Sequence, residues 1–286
     1  MVQFWFTQVP RTSSDLYEQS THCILELLQN ADDNRYDANI LPTLTFTFEP
    51  GGLRVDCNEH GFKANHVEAI STVRHSTKSG SKHSHGYTGE KGIGFKSVYR
   101  IADEVWISSR QYRFKFEKYQ RLGMIAPVWA DFPRPVIPGV TSFFLKLAEE
   151  YNQEELVIQL KDFDPRLLLF LRRVRRVCIK VLENDGYEWS QDILKEIRLD
   201  GMNTTTTLDT GSTQQHFATF EHHVKDLPPD PRRLHISSSA LSFALPIISL
   251  SDEPMPARQQ VFALLPIREY GLKVIIPCFW ISGSVR

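Results

Sequence analysis

Residues 86–97, Gly-Tyr-Thr-Gly-Glu-Lys-Gly-Ile-Gly-Phe-Lys-Ser, place four glycines within nine positions and then run on as a predicted helix to Ile101. Without a Cβ, such a run lets backbone N–H groups approach another group closely, and a helix start adds N–H groups aimed the same way. An anion suits that arrangement, although a purely structural turn uses the same glycines. The spacing has no Gly-Lys-Ser/Thr ending, so the P-loop arrangement is not indicated. Residues 74–88, just before it, have no hydrophobic period and are rich in Ser, Gly, His and Lys, which reads as a loop. From Arg74 to Lys91 the chain holds four Lys/Arg (Arg74, Lys78, Lys82, Lys91) and one acid, Glu90. That balance suits a cover over a polyphosphate and, equally, a solvated loop.

The elements around this run alternate between helix and strand. Ser13 and Ser14 are candidate N-caps for a helix to about Asn34, in which Ile24, Leu27, Leu28 and Ala31 form an apolar stripe. Glu26, Asn30 and Asp33 recur on another face of the same helix. Thr43–Glu49 alternates as a strand, Pro50-Gly51-Gly52 turns it, and Leu53–Asp56 returns as its hairpin partner. A short helix at Ala64–Val73 and strands at Glu104–Ser109, Tyr112–Glu117 and Val140–Leu147 follow. Gln153–Arg176 reads as one long helix, whose closing arginines (Arg172, Arg173, Arg175, Arg176) complement its own dipole. Asn203–Thr213 and Leu227–Pro231 read as linker, with further strands at Leu241–Leu250, Gln260–Leu265 and Leu272–Trp280. This order predicts an α+β fold, with a first domain over residues 1–185 and a β-rich extension over 186–286, read as the start of a second domain.

Composition narrows the function classes. The chain has 286 residues, 33 Lys+Arg against 34 Asp+Glu, and a formal net charge of −1, which argues against a nucleic-acid or membrane-surface binder. No apolar run approaches the ~18 residues of a membrane span, and Met1-Val-Gln-Phe-Trp-Phe lacks a basic n-region. Cys23, Cys57, Cys178 and Cys278 show no CxxC spacing and fit reduced thiols, so a cytoplasmic or nuclear protein is expected.

Two more motifs accompany the glycine run. Glu26 and Asn30, one turn apart, pair a carboxylate with a carboxamide, a set suited to a hydrated Mg²⁺ beside an oriented water. Val55-Asp-Cys-Asn-Glu-His-Gly-Phe62 closes the hairpin with short polar residues able to read an adenine amino group. In this order the three motifs resemble the Bergerat (GHKL) ATP-binding fold of gyrase B, the large heat-shock chaperone, histidine kinases and MutL. Within it, Gly-Glu-Lys-Gly-Ile-Gly-Phe-Lys-Ser-Val-Tyr and Asn-Glu-His-Gly-Phe look most like the plant NO VEIN and sacsin branch. The resemblance covers about residues 15 to 147. It implies an α/β sandwich, with a mixed sheet carrying helices on one face, followed by a smaller β-rich segment. It also implies a Mg²⁺-dependent ATP-binding module whose slow hydrolysis drives lid closure; the alternative is a non-hydrolysing nucleotide-binding or scaffold module.

Site roles follow from the same resemblance. Glu26 matches the general base, Asn30 the Mg²⁺ ligand, and Asp33 an acid that helps shape the pocket. Gly89, Lys91, Gly92, Gly94, Phe95 and Lys96 match the phosphate-covering run, and Thr141 matches the threonine supporting the adenine contact. The adenine-reading acid is either Asp56 or Asn58, because the family's Asp-x-Gly-x-Gly pattern is not kept here. Partners expected from the resemblance are the nucleotide and a second copy or a following domain.

Overall fold

The structure, a computed structural model, describes residues 13–71, 94–183, 186–200, 203–225, 239–247, 260–262, 266–269 and 275–277. Apolar side chains at every second position turn Thr43–Glu49 (β1) and Gly52–Cys57 (β2) into a hairpin with one closed face. Leu44, Phe46, Phe48, Leu53, Val55 and Cys57 are buried there. Gly51 takes φ +81° in the connection, a left-handed conformation that costs glycine little.

The same inner face continues through Ala102–Ser109 (β3), Tyr112–Glu117 (β4), Val128–Trp129 (β5), Thr141–Leu147 (β6) and Arg176–Leu182 (β7). Glu188–Asp200 (β8), Asn203–Asp209 (β9), Gln214–Val224 (β10) and Ser239–Pro246 (β11) extend it. The eleven strands run β11-β10-β9-β8-β7-β1-β2-β6-β3-β4-β5. β1 and β7 pair in parallel and the other neighbours antiparallel, so the sheet is mixed and the fold α+β. Gln260–Phe262 (β12), Pro266–Glu269 (β13) and Ile276–Pro277 (β14) form a second, three-stranded sheet.

The described helices are Ser13–Asp33 (α1), Ala64–Ile70 (α2) and Gln153–Lys161 (α3), with 3₁₀ turns at Gly94–Arg100 and Pro165–Phe170. α1 packs on the Gly94–Arg100 turn and on α3. The outer face of β2, β3, β4 and β6 carries ion pairs instead: Arg54 with Asp56, and Glu104 with Lys115 and Lys146.

Three expectations are corrected. The helix predicted over Gln153–Arg176 stops at Lys161, because Pro165 follows Asp164, which caps a new 3₁₀ turn by accepting the Arg166 N–H. The arginines therefore complement a different helix, α1. Arg173 donates from Nη1 to the carbonyls of Asp32 and Asp33, and Arg172 Nη2 meets Asp33 at 2.7 Å. The Thr-rich stretch read as linker is strand β9, paired on both sides. β7 pairs with β8 along Arg176–Leu182 within the same sheet.

Two buried charges hold the junction between these parts. The Asp32 carboxylate accepts the backbone N–H groups of Arg172, Arg173 and Val174 at 2.9, 2.7 and 2.9 Å. Lys195 on β8 donates to the carbonyls of Leu168, Leu169 and Leu171, closing the end of the second 3₁₀ turn. Burial, with Arg175 nearby, pushes its pKa down to about 7.

Asp32→Ala strands the buried Val174 N–H and two half-buried ones, so we expect a loss of about 2–3 kcal/mol, read as a lower urea midpoint. Lys195 makes stability depend on alkaline pH. An unfolded lysine keeps its proton to about pH 10.4, whereas the folded one releases it near neutrality. Over that window the unfolded chain binds more protons, so stability rises with pH. The urea midpoint should be higher at pH ~9.5 than at pH ~7, and Lys195→Met should reduce that gain.

Candidate functional site

Between Cys23 and Asp33 every residue of α1 is buried except Glu26 and Asn30, which stay partly open. The helix thus presents one narrow polar strip rather than a solvated face, with a carboxylate and a carboxamide one turn apart on it. Asp33 lies outside that strip, buried and paired with Arg172.

The strand pleat decides what the hairpin end contributes. Cys57 faces inward opposite Thr141 of β6, whereas Asp56 faces outward opposite Ser142. Asp56 accepts from Arg54 Nε at 2.8 Å and from Ser142 Oγ at 2.5 Å. It therefore does not share a face with Thr141. Asn58 uses both ends of its amide on the start of β1, accepting the Thr43 N–H and donating to the Leu41 carbonyl.

Glu59, which the sequence reading passed over, occupies the inner side of this turn. Its side chain is buried, with Oε2 accepting the Gly61 N–H at 2.8 Å and Oε1 accepting the Thr141 hydroxyl at 2.6 Å. Thr141 has one hydrogen and gives it to Glu59. Ser109 must then donate across the 2.6 Å contact to Thr141, while its own oxygen accepts the Phe62 N–H at 2.8 Å. Gly61 at φ +83° makes the turn that brings Glu59 back over the strand ends. A Cβ there would meet Arg110 Cγ at 2.6 Å. Two signals for Glu59 were legible: the alternation that sends Asp56 outward with Arg54, and a glycine two residues further on.

Tyr36 joins the helix strip to this turn. Its hydroxyl donates to the Ala31 carbonyl at 2.7 Å and lies 3.2 Å from Cys57 Sγ, so it spans from the residue after Asn30 to two residues before Glu59. Burial pushes the Cys57 thiol up to about 12, keeping it neutral. The glycine run meets the same place through its aromatic residue. Gly94 opens the 3₁₀ turn against α1, and the Phe95 ring sits 5.7 Å from Phe143, itself 6.3 Å from Phe62. Among the described residues, Tyr36 thus ties the end of α1 to the hairpin, and Phe95 brings the end of the glycine run to β6.

Lys96 turns elsewhere, donating to the carbonyls of Ile70 and Met124 under the rings of Phe116, Tyr99 and Phe95. Burial pushes its pKa down to about 8. Gly89, Lys91 and Gly92 lie outside the described residues.

No protein-family model matches the chain. It is similar to Protein NO VEIN of Arabidopsis thaliana, at 32% identity over 300 residues, an alignment covering 96% of this chain. The chain spans 10% of that relative's length. Among the described residues, no helix is long and apolar enough to cross a membrane.

Thr141→Val keeps the shape but removes the hydroxyl between Ser109 and a buried carboxylate. A hydrogen bond to a charged group is worth about 1.5–3 kcal/mol, and we expect a stability loss of that order by urea unfolding.

Proposed function

We propose that the protein is a Bergerat-type ATP-binding module that depends on Mg²⁺, hydrolyses ATP slowly and switches conformation with nucleotide state. The relay from Ser109 through Thr141 to Glu59 carries this reading. A buried carboxylate fixed by a hydroxyl and a backbone N–H is a rigid acceptor, the chemistry that the exocyclic amine of adenine requires. In this reading Glu59 takes the role that Asp56 and Asn58 were expected to fill. Phe62, Phe95 and Phe143 add apolar and aromatic surface beside it.

Glu26 and Asn30 fit a magnesium–phosphate site, being hard oxygen donors on the open strip of the otherwise buried Cys23–Asp33 stretch. Asn30 would hold the ion, which when bound supplies charge neutralisation at the phosphate oxygens. Glu26 orients a water and takes its proton as the water oxygen bonds to the γ-phosphorus and the bond to the ADP oxygen breaks. A carboxylate is a weak base at neutral pH, which accords with slow turnover. Gly89, Lys91, Gly92 and Gly94 are assigned to the phosphates by the motif. Lys96 braces the entry to that run from its bonds to Ile70 and Met124. The switch is passed to a following domain or a second copy.

Thermal unfolding with Mg·ATP tests this. At ~100 times Kd the nucleotide adds ~2.7 kcal/mol, which should raise Tm by several degrees in wild type and not in Asn30→Ala. Glu26→Ala should keep the shift and lose phosphate release. Glu59→Gln should weaken ATP by about tenfold, the equivalent of one charge-assisted hydrogen bond. No shift in wild type would leave the scaffold alternative.

A further inference from the structure

We infer that the open cleft of about 430 Å³ beside the end of α1 is a second ligand site, built for a phosphate monoester and separate from the proposed nucleotide pocket. Four arginines line it: Arg35, Arg172, Arg173 and Arg175. The single carboxylate on its wall, Asp37, is engaged by His60 at 2.8 Å. Asp32 and Asp33 lie behind the wall, where Asp32 accepts three backbone N–H groups and Asp33 pairs with Arg172.

Among the described residues, Arg35, Arg173 and Arg175 form no ion pair, though Asp32 acts on Arg175 from behind the wall, and Arg173 Nη1 meets only backbone carbonyls. Arg175 Nη1 is closed to solvent and has no hydrogen-bond partner, so Arg175 contributes charge to the wall rather than that N–H. An oxyanion in the cleft would balance the cationic charge that these arginines place on its wall. Guanidinium forks match phosphate geometry, and a phosphate monoester is close to a dianion at neutral pH, nearer to the cationic excess here than a carboxylate is. Tyr36, Ile40 and Pro42 give the cleft an apolar side for the organic part of the ester. The volume lies in the range of small-molecule sites. The wall is held in place: Arg175 and Arg176 donate their N–H groups to the Pro42 carbonyl, and Asp32 fixes the preceding three residues.

The inference does not depend on nucleotide binding, and one titration separates the two. Phenyl phosphate is titrated calorimetrically into the whole chain, as wild type, Arg35→Glu and Asn30→Ala. Arg35 is exposed, so its substitution leaves the fold intact, which an unchanged Tm verifies. Wild type should bind the ester, with Arg35→Glu at least about tenfold weaker and Asn30→Ala within about twofold of wild type. Benzoate and inorganic phosphate should each bind at least about tenfold more weakly than the ester. No binding by wild type, or equal binding by Arg35→Glu, would overturn the site. Loss of binding in Asn30→Ala would place the phosphate in the nucleotide pocket instead. Benzoate or inorganic phosphate matching the ester would overturn the ligand class.

Discussion

The arrangement of the molecule depends on one buried carboxylate. Asp32 collects three consecutive backbone N–H groups from a segment about 140 positions away in the chain. That segment leads directly into β7, the strand lying parallel to β1. The bond set therefore fixes the end of α1 beside the parallel β1–β7 junction, the only one among the described residues of the large sheet. The Arg173 contacts to the last carbonyls of α1 act in the same direction, placing a cation at the negative end of the helix. Once this end is pinned, the rotation of α1 is no longer free. Its apolar stripe turns into the core, and Glu26 and Asn30 are the positions left partly open.

Elements whose pattern is local were legible in the sequence, and those set by distant partners were not. Thr43–Glu49 and Tyr112–Glu117 match β1 and β4 residue for residue, because alternation and turn chemistry are written into adjacent positions. α1 was legible for the same reason. The helix read through Pro165 shows apolar periodicity outweighing a breaker that was in plain view. With that helix broken, the arginines lost the dipole assigned to them and acquired that of α1. The Thr-rich strand β9 was invisible as a strand because its polar composition resembles a linker. Only its pairing with β8 and β10 makes it part of the sheet.

The candidate site divides along the same line. The Glu26–Asn30 strip and the meeting of Phe95 with Phe143 follow from helix spacing and motif order. Glu59 follows only in part: alternation excludes Asp56, but the hydroxyl and amide groups that hold the Glu59 carboxylate come from separate elements. A motif template directs attention to Asp56, yet the pleat had already committed Asp56 to the outer face with Arg54 and Ser142. Period-2 geometry was the stronger argument, and it was available before any coordinates.

Asp32 and Glu59 show how a structural carboxylate differs from one that can meet a ligand. Both are buried acids, and a carboxylate has room for about four hydrogen bonds. Asp32 accepts three N–H groups and has the Arg172 guanidinium 3.8 Å away, so its capacity is spent within the fold. Glu59 accepts one donor on each oxygen among the described residues, enough to fix its orientation. The remaining lone pairs are a debt that the protein's own described donors leave open. Glu59 thus keeps capacity for a further donor, at the strand ends that Tyr36 ties to α1.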